Sequence, residues 1–163
     1  MFNYELGMFD AVIEGRKTET RRMKQTYKKG EKLFLKEPYL IVNSEHCPIR
    51  YKYDETDRIR LDNPKWKNKM FMKAIYARYF IEIVDVRKEP LQDITVESCL
   101  AEGIEKGESG YFDYIGGRVK GNNVYYPFSP KGSFRSLWEK INGFDSWNLN
   151  PEIVVYTLSL IHI

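Results

Sequence analysis

The chain has 163 residues, of which 42% are hydrophobic and 30% are charged, and this composition excludes an intrinsically disordered chain. A chain of this length can bury a core of its own without disulfides or a structural metal, so we expect a single domain over 1–163. The net charge of +3 does not by itself indicate nucleic-acid binding.

The first half of the chain predicts one short helix and several strands. Apolar residues at 8, 9, 12 and 13 recur at helical spacing before Gly15, which predicts a helix over 7–14. Alternating side chains then predict strands at 17–22 and 32–39, joined by a turn at Lys29-Gly30, with shorter strands at 40–42 and 49–53. The polar segment 62–72 predicts a loop.

The second half predicts a central strand at 77–86, because apolar residues fall on both of its faces. Thr95 suits the N-cap of a helix over 96–102, which Gly103 ends. Residues 105–131 are rich in Gly, Tyr and Asn and predict a long, loop-rich insertion. A third helix over 134–141, stopped by Gly143, and a final strand at 153–160 complete an α+β chain with about six strands and three short helices.

Location and metal content are predicted from simpler signals. The first fifteen residues lack a basic segment followed by an apolar one, and the longest mostly apolar stretch, 153–161, is too short to span a bilayer. We therefore expect a soluble, cytoplasmic protein without membrane partners. Cys47 and Cys99 form no CxxC pair, and His46 and His162 are too few for a zinc site, so we expect no metal and no cofactor.

Charge is distributed unevenly along the chain. Residues 16–36 contain nine Lys or Arg against two Glu, a net of +7, and residues 89–113 contain seven acids against Lys106, a net of −6. Clustered Lys and Arg attract phosphates, so the first block is a candidate polyanion surface. The alternative is a solvated basic surface without a ligand, and the acidic block is interpreted as a solvated helix and loop.

Six segments resemble, in the same order, the ASCH domain, and in particular its longer variant common in phages and prophages. They are GRKTETRR (15–22), KKGEKLFLKEPY (28–39), FIEIVDVRKEPLQDIT (80–95), LAEGI (100–104), FRSLWEKING (134–143) and SWNLNPEIVVY (146–156). The resemblance covers nearly the whole chain and implies a PUA-like fold, a mixed β-barrel of five to six strands with helices at its ends. Family members are thought to bind RNA or nucleotides, and some hydrolyse acetylcytidine or cleave RNA. Lys73 stands where many phage members have Pro, so the loop at 62–73 is expected to be placed differently.

Carried over by motif, the resemblance implies that an amidohydrolase would use Lys17, Thr20 and Glu102. Amide hydrolysis needs an activated nucleophile or water, a base and an oxyanion donor. Lys17 serves as a base only if burial or nearby positive charge lowers its pKa. The alternatives are a phosphate clamp for Lys17, an ordinary strand residue for Thr20 and a structural ion pair for Glu102. Since Lys17 and Thr20 are three residues apart, they converge only if Lys17 lies before the strand begins.

The basic block and the same resemblance also predict a surface for RNA or a modified nucleoside or nucleotide. Its candidate residues are Arg16, Lys17, Arg21, Arg22, Lys36, Trp66 and Arg78. Trp66, Tyr39 and Tyr76 are candidate stacking platforms for a base, and the alternative for Arg78 is an ion pair, with Glu37 as an ion-pair partner. Trp138 is predicted in the core, and the corner at Trp147 is predicted to be structural.

Three functions stay open at this point. The first is binding of RNA or nucleotides in a basic cleft, the second is an amidohydrolase of acetylcytidine or a related N-acylated base, and the third is a metal-independent ribonuclease. The sequence does not indicate an oligomeric state.

Overall fold

The structure is a computed structural model, and it describes residues 6–42, 48–54, 64–116 and 129–161. Among these residues the α-helices are α1 (Met8–Ile13), α2 (Val96–Ala101) and α3 (Pro130–Asn142). The strands are β1 (Glu19–Arg22), β2 (Lys32–Phe34), β3 (Tyr39–Ile41), β4 (Ile49–Tyr51), β5 (Phe80–Pro90) and β6 (Glu152–Ile161). Short 3₁₀ helices lie at Lys52–Asp54, Lys69–Phe71, Ala74–Tyr76 and Leu91–Asp93. The predicted α+β class, with six strands and three α-helices, is confirmed for the described residues.

The described strands form two sheets. One has the order β1-β6-β5-β2, and the other pairs β3 with β4. β1 runs antiparallel to β6, so that Thr20 lies opposite Tyr156 and Arg21 lies opposite Val155, and β3 runs antiparallel to β4. No closed barrel appears among these strands, so the barrel implied by the resemblance stays a prediction. No helix in the described ranges is both long enough and apolar enough to cross a membrane.

The chain divides into two compact units. The smaller consists mainly of Lys32–Ile81, and the larger consists of Phe2–Glu31 and Glu82–Leu160. The smaller unit therefore holds β2, β3, β4 and the first residues of β5, whereas the three α-helices, β1 and most of β6 belong to the larger unit.

The core of the larger unit contains α2, α3 and β6. Phe134 and Trp138 of α3 are buried in it together with Ile153 and Val155 of β6, which confirms the core position predicted for Trp138. The helical spacing in α3 makes one apolar face, although Ile141, at the end of that face, is exposed.

Part of the predicted loop-rich insertion belongs to the same core. Phe112 and Tyr114 are buried there, and their rings meet edge to face with centroids 4.9 Å apart. The Ser136 Oγ accepts a hydrogen bond from the Tyr114 main-chain N–H (3.0 Å). Residues 117–128 of the insertion lie outside the described residues.

Local sequence signals predict the ends of α1 and α2 to within one residue, but they miss the start of α3. The Thr95 side chain accepts a hydrogen bond from Ser98 N at the start of α2, as predicted, and Gly15 and Gly103 adopt positive φ of 76° and 80° after α1 and α2. α3 begins four residues before its predicted start, because Ser129 caps Gly132 N and Pro130 suits the first turn.

Most predicted strand bounds differ from the structure by one or two residues, β1 for example beginning at Glu19 rather than at 17, and two strands differ by three or more. The strand predicted over 32–39 is interrupted, since β2 ends at Phe34 and β3 begins at Tyr39; Pro38 lacks an N–H, and Glu37 is buried in an ion pair. The central strand begins at Phe80 and continues to Pro90 rather than covering 77–86. Its polar second half carries charges that pair with Glu19 and Arg21 of β1, which hydrophobic alternation does not reveal.

Candidate functional site

Lys17 lies in the larger unit between α1 and β1, where the backbone is held against the end of α2. Its main-chain N–H donates to Ala11 O (2.8 Å), and the next N–H, of Thr18, donates to Ala101 O (2.7 Å). Lys17 and Glu102 also form an isolated β-bridge. A Cβ atom at Gly103 would lie 2.8 Å from Lys17 Cβ and 2.9 Å from Ala11 Cβ, so this approach requires glycine at 103.

The Lys17 ammonium group is enclosed with Glu102, and each side chain is only 4% exposed. Lys17 Nζ donates to the main-chain O of Glu102 (2.8 Å) and contacts Oε2 of the same residue. Burial lowers the pKa of Lys17, Glu102 opposes that shift, and the charges of Arg22 and Arg21 add to it. The net direction is downward, so Lys17 can lose its proton at a lower pH than an exposed lysine. A lowered pKa is what allows a lysine to act as a base.

Arg21 is buried beside this pair and is surrounded by carboxylates. Its side chain is 1% exposed, and Nη1 lies 3.1 Å from both Glu102 Oε1 and Glu19 Oε2, while Nη2 lies 2.9 Å from Glu89 Oε1. Burial disfavours the charged guanidinium, but the carboxylates outweigh it, so the pKa of Arg21 is raised. Arg21 thus positions Glu102 rather than facing solvent.

Arg87, whose side chain is 36% exposed, extends this cluster into a charge network through two of the same carboxylates. Its Nη2 lies 2.9 Å from Glu19 Oε1, and its Nε lies 3.3 Å from Glu89 Oε2. The network therefore joins three cations and three anions, namely Lys17, Arg21, Arg87, Glu19, Glu89 and Glu102. Sequence reasoning missed Glu19, Arg87 and Glu89 as members. Their signal is the i, i+2 spacing of opposite charges within β1 and within β5, which places each pair on one strand face.

Thr20 is buried in β1, and its hydroxyl makes no hydrogen bond with any residue that the structure describes. Such an unsatisfied buried group typically costs about 1–3 kcal/mol. β1 begins at Glu19, so Lys17 precedes the strand, which is the condition stated for Lys17 and Thr20 to converge. The hydrogen bonds join Lys17 to Glu102 and not to Thr20. Thr20 Oγ1 is buried, and because Thr20 lies between Glu19 and Arg21 in β1, its side chain leaves the strand on the face opposite to theirs.

The other basic candidates of the larger unit differ in how far they are neutralised. Arg16 is half exposed and pairs with Glu14 at 2.7 Å, whereas Lys17 and Arg21 could reach a polyanion only if the buried network opened. Arg22 is half-buried and donates to Arg21 O (3.2 Å), and its guanidinium forms no ion pair with a described residue. Among the described residues, Arg22 therefore has no carboxylate that neutralises its charge, and that charge contributes to lowering the pKa of Lys17.

Arg78 belongs to a separate cluster in the smaller unit. Its Nε and Nη2 donate to the two carboxylate oxygens of Glu37 at 2.7 and 2.8 Å, and Nη1 donates to Asp54 at 2.6 Å. The guanidinium also lies over the Tyr51 ring, 4.1 Å from its centroid. Burial raises the pKa of Glu37 although Arg78 opposes the shift. These contacts favour the structural ion pair over direct ligand binding by Arg78.

The remaining candidates of the smaller unit either contact other residues of the chain or are half-buried. Lys36 Nζ donates to Met70 O (3.1 Å), and Trp66 is half-buried. Tyr39 is buried and packs against Tyr76, with ring centroids 5.4 Å apart, so Tyr39 offers no free face of the kind a stacking platform needs.

No group of three or more His, Cys, Asp or Glu that could hold a metal ion occurs within the described ranges, and His46, Cys47 and His162 lie outside them. Cys99 is fully buried, and burial raises the pKa of its thiol to about 11. A buried thiol of this kind is unreactive.

Comparison with known proteins adds no assignment: no family model, no curated protein and no solved structure matches the chain.

Proposed function

We propose that Lys17, Thr20 and Glu102 form the active site of a small amidohydrolase that acts on acetylcytidine or a related N-acylated nucleobase. One observation carries the proposal: a buried lysine with a lowered pKa contacts a buried carboxylate, and three residues further along lies a buried hydroxyl without a described partner. An ionisable group perturbed by burial and by one specific charge partner is typical of functional sites. The substrate class and the PUA-like barrel come with the ASCH resemblance, and a cytoplasmic location is predicted from the sequence; all three are parts of the proposal.

In this proposal each of the three residues has one role, and the buried network must open so that Lys17, Thr20 and Glu102 meet the substrate together. Neutral Lys17 accepts a proton from the attacking water, whose oxygen bonds to the acyl carbon. The Thr20 hydroxyl donates to the oxyanion that develops on the acyl oxygen. The C–N bond then breaks, and the proton passes from Lys17 through Glu102 to the exocyclic nitrogen, so that water and acetylcytidine give acetate and cytidine. Arg21, at 3.1 Å, holds Glu102 in position.

Hydrolysis of acetylcytidine is measured by chromatographic detection of cytidine. Thr20→Val and Lys17→Met should lose activity, whereas Arg16→Ala should keep it, because Arg16 is outside the buried network. The rate should rise with pH through the lowered pKa of Lys17, since the base must be neutral. An absence of product at high enzyme concentration would refute the proposed activity.

A second candidate is nucleotide binding without catalysis, and the state of Arg22 favours it. A half-buried guanidinium that has no carboxylate partner among the described residues is suited to a phosphate. Calorimetric titration with cytidine monophosphate and with cytidine measures the contribution of the phosphate. Arg22→Gln should remove that contribution, and Lys24→Gln, an exposed lysine two residues away, should not. Binding by the wild type without turnover would select this candidate, and an unchanged phosphate contribution in Arg22→Gln would contradict it.

A further inference from the structure

The segment 65–75 of the smaller unit exposes large apolar side chains. Phe71 is 78% exposed and Ile75 is 81% exposed, and Met70, next to Phe71, is also exposed. Single exposed apolar residues are common, but three within six positions mark a contact surface. None of the three predicted functions involves these three side chains.

Lysines without carboxylate partners occupy the same segment. Lys65, Lys67 and Lys73 are exposed and form no ion pair with a described residue, although Lys67 lies 5.9 Å from the centroid of the Tyr39 ring. The segment 65–75 contains no acid. The acids of the smaller unit that the structure describes, Glu37 and Asp54, are both engaged by Arg78. No carboxylate in the described part of the smaller unit therefore neutralises these three lysines.

The charge of the whole chain is also concentrated in the smaller unit. Residues 32–81 contain 11 Lys or Arg and 6 Asp or Glu, a net of +5, whereas the whole chain carries +3. The remaining residues therefore carry −2. The basic block that the sequence analysis found at 16–36 is largely neutralised in its first third, because Arg16, Lys17 and Arg21 are all paired with Glu.

The exposed side chains are held by an ordered backbone. Asn68 Oδ1 accepts from Met70 N (2.9 Å), and Phe71 N donates to Asn68 O (3.1 Å), which closes the first 3₁₀ turn. Met72, next to Phe71, is buried, and its Sδ accepts from Glu37 N (3.3 Å). A ring presented on an anchored turn loses little conformational entropy when it binds.

We infer that the segment 65–75 binds single-stranded nucleic acid, with Phe71 stacking on a base and Lys65, Lys67 and Lys73 contacting phosphates. A single strand offers flat apolar bases and regularly spaced phosphates together, which matches apolar side chains interleaved with lysines. An anionic membrane favours a continuous apolar helix face with lysines on the opposite face, and two three-residue turns separated by buried Met72 provide none. The inference does not depend on the proposed hydrolase activity.

The test is fluorescence anisotropy of a labelled 12-nucleotide oligouridine with the full chain over a range of salt concentrations. Phe71→Ala should weaken binding about 5- to 150-fold, the range for loss of one stacked base. Phe144→Ala is the matched control, because Phe144 is 94% exposed but belongs to the larger unit, and it should change nothing. Phe71→Trp should retain binding and show quenched fluorescence on addition of oligouridine.

The lysines are tested through the salt dependence. The triple variant Lys65→Gln, Lys67→Gln, Lys73→Gln should reduce the slope of log affinity against log salt by about 2, since each single-strand phosphate contact contributes about 0.7. The control triple variant Lys24→Gln, Lys28→Gln, Lys140→Gln removes three exposed lysines from the larger unit and should leave the slope unchanged. Equal losses in both triple variants, or in both Phe variants, would overturn the inference. So would binding to phosphatidylserine vesicles without binding to oligouridine, or binding to neither.

Discussion

Replacing the carboxylate of Glu102 by an amide tests the buried network most directly. Lys17 Nζ contacts Oε2, and Arg21 Nη1 lies 3.1 Å from Oε1, so two cations share one carboxylate. In Glu102→Gln, the amide oxygen can accept from one cation only, and the amide NH₂ then faces the other. Two buried positive charges would remain with less compensation than before.

The cost follows from burial and from the partners that remain. Removing one partner of a buried ion pair costs about 3–5 kcal/mol. Lys17→Met should cost less, about 1–3 kcal/mol, because Glu102 would still accept from Arg21. For a chain of this length each kcal/mol lowers the melting temperature by about 2–4 °C, so Glu102→Gln should melt about 6–20 °C below the wild type.

The lowered pKa of Lys17 adds a pH dependence to this comparison. Between the lowered pKa and the ordinary value of 10.5, the unfolded chain binds one proton more at Lys17 than the native chain does. The free energy of unfolding therefore rises with pH in that window, and it is insensitive to Lys17 below it. Lys17→Met lacks this titration, so the stability of the wild type relative to this variant should increase as pH approaches 10.5.

Urea unfolding followed by circular dichroism at pH 7, 8, 9 and 10 measures the free energy of unfolding of the wild type, of Lys17→Met and of Glu102→Gln, together with its pH dependence. The order of stability should be wild type, then Lys17→Met, then Glu102→Gln. If Glu102→Gln unfolds within about 1 kcal/mol of the wild type, or if Lys17→Met is the less stable variant, the reasoning about the shared carboxylate is wrong. A wild-type advantage over Lys17→Met that stays constant up to pH 10 would contradict the lowered pKa.

Two further pairs of substitutions test the role of the Thr20 hydroxyl and the close packing at Gly103. Thr20→Val replaces a buried hydroxyl that has no described partner, so the free energy of unfolding should rise by about 1–3 kcal/mol while acetylcytidine hydrolysis is lost; Thr20→Ser should keep the activity, and an active Thr20→Val would remove Thr20 from the mechanism. Gly103→Ala combines a φ of +80° with a Cβ contact of 2.8 Å to Lys17, so it should destabilise by about 2–5 kcal/mol. Gly30→Ala, with a φ of +82° and no atom within 4 Å of its Cβ, should cost only the backbone strain of about 1–2 kcal/mol, and equal melting temperatures for the two variants would refute the packing argument.

The helices could be predicted because their signals are local. The Thr95 cap, the glycines at 15 and 103 and the spacing of Phe134 and Trp138 lie within a few residues of the elements they define. Strand bounds were predicted less well, because a strand continues or stops according to its neighbours. The charged side chains at the polar end of β5 pair with Glu19 and Arg21, which are more than sixty positions away, so no local pattern predicts these contacts.

The candidate site, too, could be predicted from the sequence only in part. Lys17 and Glu102 were named from short motifs, but their contact joins residues 85 positions apart, and only the folded chain brings them together. Burial separates Lys17 and Arg21 from Arg22 within one basic block, and no feature of that block indicates which of its charges a distant carboxylate will neutralise. Phe71 and Ile75 illustrate the converse, since apolar residues in a sequence are expected in the core and these two are exposed.

By itself, the sequence determined the α+β class, the helices with their caps, and the residue types at the candidate site, because these depend on neighbours within one or two turns. The tertiary structure alone decided which charges pair, which apolar side chains are exposed and which hydroxyl is left without a described partner. These properties depend on desolvation and on contacts between distant segments, and so they exist only once the chain is folded.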